Sequence, residues 1–309
     1  MASMRDIKRR KTSIQGTQQI TKAMKLVSTV KLQRARANAE RSKLYFDCMY
    51  ETVISILSRV GHIDHRYLLP GESKRKAVVV ITSNRGLAGG YNSNVIKLIT
   101  RHETWQKEEL DIYSLGNKGK DAFVRHGYTV RENLPEVIEE PIYADAMQLS
   151  KRLLASFEKG EIGEIYLAYT SFKNTVVHEP KLLKLLPVDP EAVKTDGEEN
   201  DGSDNGLNDN GLNKESASKS GKAEAIMNFE PEDVEALDMI IPKYITSLIY
   251  GAMMEAVASE NGARMQAMDS ATSNAEEMIS DLTLKYNRAR QGSITQELTE
   301  IIAGAEALG

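Results

Sequence analysis

Apolar positions near the start of the chain recur at alternating steps of three and four residues. Ile20, Ala23, Val27, Val30, Arg34, Ala37, Arg41, Leu44 and Cys48 fall on one line of a helix. That is the repeat of a coiled-coil seam, narrower than the stripe of a helix packed on a globular core. Between Met4 and Ser58 there is no proline and Gly16 is the only glycine, so the pattern predicts one rod about 80 Å long at 1.5 Å per residue. It must protrude from any compact domain this chain can build.

A second pattern of the same kind closes the sequence. It opens at "NFEPEDVEALD", where Pro231 suits a first helical turn rich in acids. Ile245, Leu248 or Ile249, Ala252, Ala256, Ala263, Ala267, Ala271, Asn274, Met278 and Leu282 then keep helical spacing, with Pro242 as the expected kink. Both seams use alanine where a stability-driven coil would use leucine. Two long helices at opposite ends of one chain, each with a narrow seam, pair most simply as an antiparallel coiled coil.

Between them the period changes. "KAVVVITS" (76–83), "LDIYSLG" (110–116) and "GEIYLAYTSF" (163–172) are rich in β-branched and aromatic residues, and the first two each run into a Gly-bearing turn and a helical stretch. Strands alternating with helices predict a parallel sheet, and "HEPKLLKLLPV" (178–188) adds a candidate edge strand. The expected class is therefore α/β: a long antiparallel coiled coil of N- and C-terminal helices plus a small Rossmann-like α/β domain with a mainly parallel sheet. The expected divisions are an N-terminal helix over 1–58, a linker over 59–75, the α/β domain over 76–194, a loop over 195–228 and a C-terminal helix over 229–309. The loop repeats "DNGLN" and has almost no apolar side chain, too little to offset its ordering entropy.

Charge sharpens this picture. The overall net charge is −4, but residues 1–43 carry +10 and residues 230–309 carry −9. A basic arm alone would suggest nucleic acid; an acidic partner of similar length in the same chain supplies an internal counter-charge. The longest apolar run, Ala77 to Ile81, is far short of the roughly 20 residues of a membrane span, and the basic start lacks a secretory apolar core. Membrane association is expected only through partners.

Candidate chemistry is sparse. "ITSNRGLAGGYNSN" (81–94) is a strand, a Gly-rich turn and a helix start whose free N–H groups can hold an anion. It fits neither G-x-G-x-x-G nor a Walker loop, and "GNKGKD" (116–121) fails the same test, so tight turns are the simpler reading of both. The lone Cys48 excludes an internal disulfide, His62 and His65 make a weak H-x-x-H in a linker, and the loop's Asp and Asn residues lack the EF-hand order. No catalytic, cofactor or metal site is expected.

Four stretches carry a specific likeness. "IKRRKTSIQGTQQITKAMKLVSTVKLQRA" (7–35), "TSNRGLAGGYNSNV" (82–95), "ASENGARMQAMDSATSNAEEMI" (258–279) and "LKYNRARQGSITQELTEIIAGAEAL" (284–308) closely resemble the gamma subunit of F-type ATP synthase, most specifically in "ITQELTEIIAGAEA" (294–307). The resemblance implies a non-catalytic rotor shaft standing inside a ring of alpha and beta subunits. It also implies a foot that meets the epsilon subunit and the membrane c-ring, at the cytoplasmic face of a bacterial plasma membrane, and turns with proton or sodium flow. It further implies rotor–stator contacts at Met24, Arg264, Arg290, Gln291, Thr295 and Glu297. The DNGLN loop and Gly262, inside a helix, depart from expectation. The alternatives are a basic coiled-coil nucleic-acid-binding or tethering protein, and a small nucleotide-binding enzyme built on 76–190.

Overall fold

The computed structural model describes residues 4–59, 65–175, 177–188 and 233–308. His62, Pro231, the repeated DNGLN segment and the Leu44 side chain lie outside that description. Helix α1 runs unbroken over Met4–Arg59, and at the other end of the chain α5 spans Asp233–Leu308, staying helical through Pro242. A proline there removes one backbone donor from the ladder. The donor lost is the one that would have met the Asp238 carbonyl; separately, the Asp238 side chain takes hydrogen bonds from Arg66 and pairs with the buried His65 at 3.1 Å.

The two helices lie antiparallel in one steady register. Gln18 Nε2 donates to Glu276 at 3.0 Å, the Thr21 and Thr272 hydroxyls share a hydrogen bond of 2.8 Å, and Lys25 meets Asp269 at 2.5 Å. Further down, Leu32 and Ala35 pack on Ala258 and Met265. This register sets Met4 opposite the residues near 290, so among the described residues the last turns of α5, about 25 Å at 1.5 Å per residue, lie beyond α1. Lys25–Asp269 also shows part of the basic arm answered within the chain.

The seam differs from the expected one by a single residue. Thr21, Ser28, Leu32 and Ala35 are buried, while Ile20, Val27 and Val30 are more than half exposed, with Leu26 beside them at 62%. Ala23, Arg34, Ala37, Arg41 and Cys48 are exposed as well. One residue turns a helix by about 100°, which moves the apolar line from the partner helix to the outside. On α5 the lower positions Ile245, Ile249, Ala252 and Ala256 are buried as expected. Above them the seam passes to Met268 and Ala275, leaving Met278 and Asn274 exposed. Two lines a residue apart share the heptad spacing, and hydrophobicity favoured the wrong one because the true seam is closed by hydroxyl groups.

The middle of the chain is a five-stranded sheet in the order β3-β2-β1-β4-β5, built from β1 (Lys76–Ile81), β2 (Leu110–Leu115), β3 (Thr129–Asn133), β4 (Glu164–Phe172) and β5 (His178–Leu186). The first four are parallel and β5 returns antiparallel along β4. Strand β3 was not expected. Its residues "TVREN" lack an apolar alternation because an edge strand buries little on either face. Central β1 is buried from Ala77 to Ile81, as its unbroken apolar run requires.

Helices α2 (Tyr91–Thr100) and α3 (Asn117–Arg125) cover one face, where Val78, Val80, Val95, Ile99, Ile112 and Phe123 interdigitate. The other face packs on α4 (Tyr143–Glu158) and on the rod itself. Val79, Ile81, Leu149 and Leu167 share one cluster with Val53 and Ile56 of α1 and with Leu237, Ile245 and Met253 of α5. Each fully buried side chain of this kind contributes about 1.5–3 kcal/mol, so rod and sheet are welded by the same core.

Candidate functional site

The weld continues upward as a joint between the sheet and α5. The Gly-rich turn after β1 is folded by local bonds: Ser83 N–H donates to the Asn92 side chain at 2.9 Å, and Leu87 and Gly89 both take positive φ, 64° and 55°. From α5, the Arg264 guanidinium reaches the carbonyls of Arg85 and Gly86 at 3.5 and 3.4 Å and pairs with Glu260 at 2.6 Å. Tyr91, fully buried with its phenol pushed well above its ordinary range by desolvation, donates to the Ala256 carbonyl at 3.2 Å. The turn, for which a tight structural turn was the simpler reading and a phosphate cradle the alternative, is thus at Arg85 and Gly86 a bracket on the rod. "GNKGKD" is likewise a packing device, since a Cβ on Gly116 would sit 2.2 Å from the Thr82 carbonyl oxygen.

Opposite the bracket, β4 and β5 grip the same stretch of α5. Ser259 donates to the Thr170 carbonyl at 3.1 Å, and the Phe172 N–H donates to Glu255 at 3.3 Å. Burial raises the Glu255 carboxyl above its usual range, against the Ser171, Phe172 and Lys181 groups that hold it down. Gly262, out of place by helix propensity, finds its reason here. A Cβ on it would lie 2.7 Å from His178 Cε1 and 3.1 Å from Nε2. The His178 ring, stacked obliquely on Phe172, occupies that missing volume. Desolvation lowers its pKa, with the Thr175 backbone pulling the other way, and both ring nitrogens are shut off from solvent.

The six candidate contact residues fall on two levels of the rod. Met24 is half-buried beside the Lys25–Asp269 pair, and Arg264 lies about two turns of α5 below it, already engaged by Glu260 with 13% of its side chain exposed. Arg290, Gln291, Thr295 and Glu297 are exposed on the single-helix end, about 40 Å beyond Arg264 at 1.5 Å per residue. Thr295 donates to the Gln291 carbonyl at 2.9 Å and Ser293 contacts Glu297 at 3.4 Å. The two levels are not brought together. Sequence reasoning passed over a third feature, the outward line of Ile20, Leu26, Val27 and Val30. Its signal was the parallel heptad of Thr21, Ser28 and Ala35, which marks a seam of small residues one position away.

Among the described residues no cluster of His, Cys, Asp and Glu can hold a metal ion, and no helix is long and apolar enough to cross a membrane. What the fold defines is a stalk: a slender antiparallel helix pair, with a line of apolar side chains on the outside of α1, fixed at its base to a doubly wound sheet. The family model described as ATP synthase matches residues 3–308. The ATP synthase gamma chain of Lachnoclostridium phytofermentans is 60% identical over 308 residues, covering 100% of both chains. That of Acetobacterium woodii, named as sodium ion specific, is 40% identical and covers 99% of each. Among solved structures, a chain of the Euglena gracilis mitochondrial ATP synthase in rotational state 3 shares the fold with a TM-score of 0.65 at 19% identity, covering 99% of this chain and 94% of that one. The chain belongs to the ATP synthase gamma-chain family.

Proposed function

We propose that this chain is the central-stalk rotor of an F1Fo ATP synthase, coupling ion flow through a membrane c-ring to successive conformational changes in catalytic beta subunits. It performs no chemistry of its own. A rotor acts on a catalytic site only by binding that site's alternative conformations with different free energy, so an axially symmetric rod would change nothing. Lopsidedness is built in here, with an apolar line on one side of α1, the sheet on one side of the base and a single helix at the tip.

The helix pair stands inside an alpha–beta ring in this reading, and the sheet forms the foot that meets the epsilon subunit and the c-ring at the cytoplasmic face of the bacterial membrane. Met24 and Arg264 meet the beta subunits at the lower level, and Arg290, Gln291, Thr295 and Glu297 at the upper one. Polar contacts of this kind exchange readily, since exposed ion pairs are worth about 0–1 kcal/mol each. The division into shaft, linker, foot and loop at residues 58, 75, 194 and 228 belongs to the same proposal.

The observation that carries the reading is the steady register from Gln18–Glu276 to Lys25–Asp269, which makes the two chain ends one axle. The test is to mix the purified chain with alpha and beta subunits. One copy per six partners, with ATP hydrolysis by the mixture and none by the chain alone, is the expected outcome. Turnover by the isolated chain, or failure to enter the ring, refutes it.

A further inference from the structure

Leu87 is held in a conformation that leucine avoids. Its φ of 64° is the one positive value outside glycine among the described residues, and a glycine or asparagine would take it at less cost. The side chain is also 63% exposed. A lone exposed leucine is ordinary. One that is exposed and also sits on a left-handed backbone is disfavoured twice, and backbone strain of this kind gathers at sites of contact and switching.

The fold gives the residue no room to relax. Before it, Ser83 Oγ donates to the Arg85 carbonyl at 2.5 Å, and the Lys118 N–H donates to the Ser83 carbonyl at 3.1 Å. The Arg264 guanidinium reaches across from α5 to the Arg85 and Gly86 carbonyls, while Glu260 holds its other nitrogen at 2.6 Å. After it, Ala88 is buried and its carbonyl accepts the Tyr91 N–H at 3.2 Å, and a Cβ on Gly89 would lie 3.9 Å from that of Ala267. The bracket therefore has an output, one apolar side chain projected from a turn that is fixed on both sides. Arg264, with 13% of its side chain exposed, has little left to offer a second partner.

Position selects what Leu87 meets. On α5 the larger core cluster ends at Ala256, and the turn touches the helix beyond it, at Arg264. The turn is thus a shoulder where the rod leaves the sheet. Continuing the helix register from Lys25–Asp269 sets Arg264 level with Val30, at the lower end of the outward apolar line that includes Leu26 and Val27. Rod and shoulder expose apolar side chains at one height. Cations flank the shoulder: Arg85 is exposed, and the exposed Lys118 places its Cε 3.9 Å from where a Gly86 Cβ would be. The matching surface is an apolar socket with carboxylates at its rim.

We propose that Leu87 is a contact residue for the beta subunit, and that Arg264 serves that contact as a positioning residue which holds Leu87 out. The inference rests on the rotor reading and refines its lower level of contact.

The experiment uses the full chain assembled with alpha and beta subunits. Wild type, Leu87→Gly, Arg264→Gln and the double variant are compared by the ATPase kcat of the complex and by the thermal midpoint of each chain alone. Leu87→Gly is expected to lower kcat about threefold or more without lowering the midpoint, and Leu87→Met to restore the rate. Arg264→Gln is expected to lower kcat to a similar degree by itself and to have almost no further effect once Leu87 is replaced, the non-additivity of groups that act through one contact. Should Leu87→Gly melt early, Leu87→Asn, which tolerates the same backbone, takes its place in the comparison. A wild-type rate in the Leu87→Gly complex, or losses that multiply in the double variant, overturns the proposal while the rotor reading stands. A wild-type chain that leaves the ATPase of the ring unchanged overturns both.

Discussion

Gly262 shows how a residue that looks wrong for its element can be required by its neighbour. Alanine gains up to about 1 kcal/mol over glycine inside a helix, and Gly292, with nothing within 4 Å of its missing Cβ, should return that gain. Gly292→Ala is expected to raise the thermal midpoint, whereas Gly262→Ala, forced against His178, should lower stability by about 1–3 kcal/mol, the usual cost of overpacking. Two melting curves compare them; a stabilised Gly262→Ala variant would show that His178 moves aside freely. His178 itself carries a pH signature. Burial lowers its folded pKa below the ordinary 6.5, so below that pH the unfolded chain binds the extra proton and stability falls as pH falls. Urea midpoints at pH 7.5 and 5.5 should therefore drop more for wild type than for His178→Gln.

At the scale of elements, the two terminal helices, α2, α3 and four of the five strands were legible in the sequence because each imposes a period, whereas α4 was not singled out. Unbroken apolar runs in β1 and β4, and heptad spacing free of proline in α1, admit few other readings. Register was not legible. The choice between Ile20, Val27 and Thr21, Ser28 as the seam turns on which line a partner covers, and periodicity is the same for both. Likewise the bracket formed by Arg264 and the Gly-rich turn joins residues almost 180 positions apart, with no local signature. The observed register makes a sharp prediction. Ile20→Ser with Val27→Ser should change the chain's own stability by less than about 0.5 kcal/mol, as exposed substitutions do, while reducing the ATPase of the reconstituted ring. A loss of several kcal/mol in urea titrations would return these residues to the seam.

For the whole molecule, the end of α5 beyond Arg290 is expected to contribute nothing to the fold, since it runs past α1 and Ile294, Leu298, Ile301 and Ile302 stand exposed. Removing residues 294–308 should leave the thermal midpoint of the remaining chain unchanged, and a fall of several degrees would reveal a contact the register forbids. The base is the opposite case. Its larger core unites Val53 and Ile56, early in the chain, with Val79 and Leu167 in the sheet and with Leu237 through Ala256 near the end. During synthesis the chain emerges from its first residue to its last, and the sheet is complete some seventy residues before Ala256 appears. Until then the part of that face which α5 covers stays bare and greasy, with only α4 and the end of α1 available to shield the rest. The nascent protein is therefore a client for whatever shields apolar surface at the ribosome, and its folding is completed only when the final quarter of the polypeptide arrives.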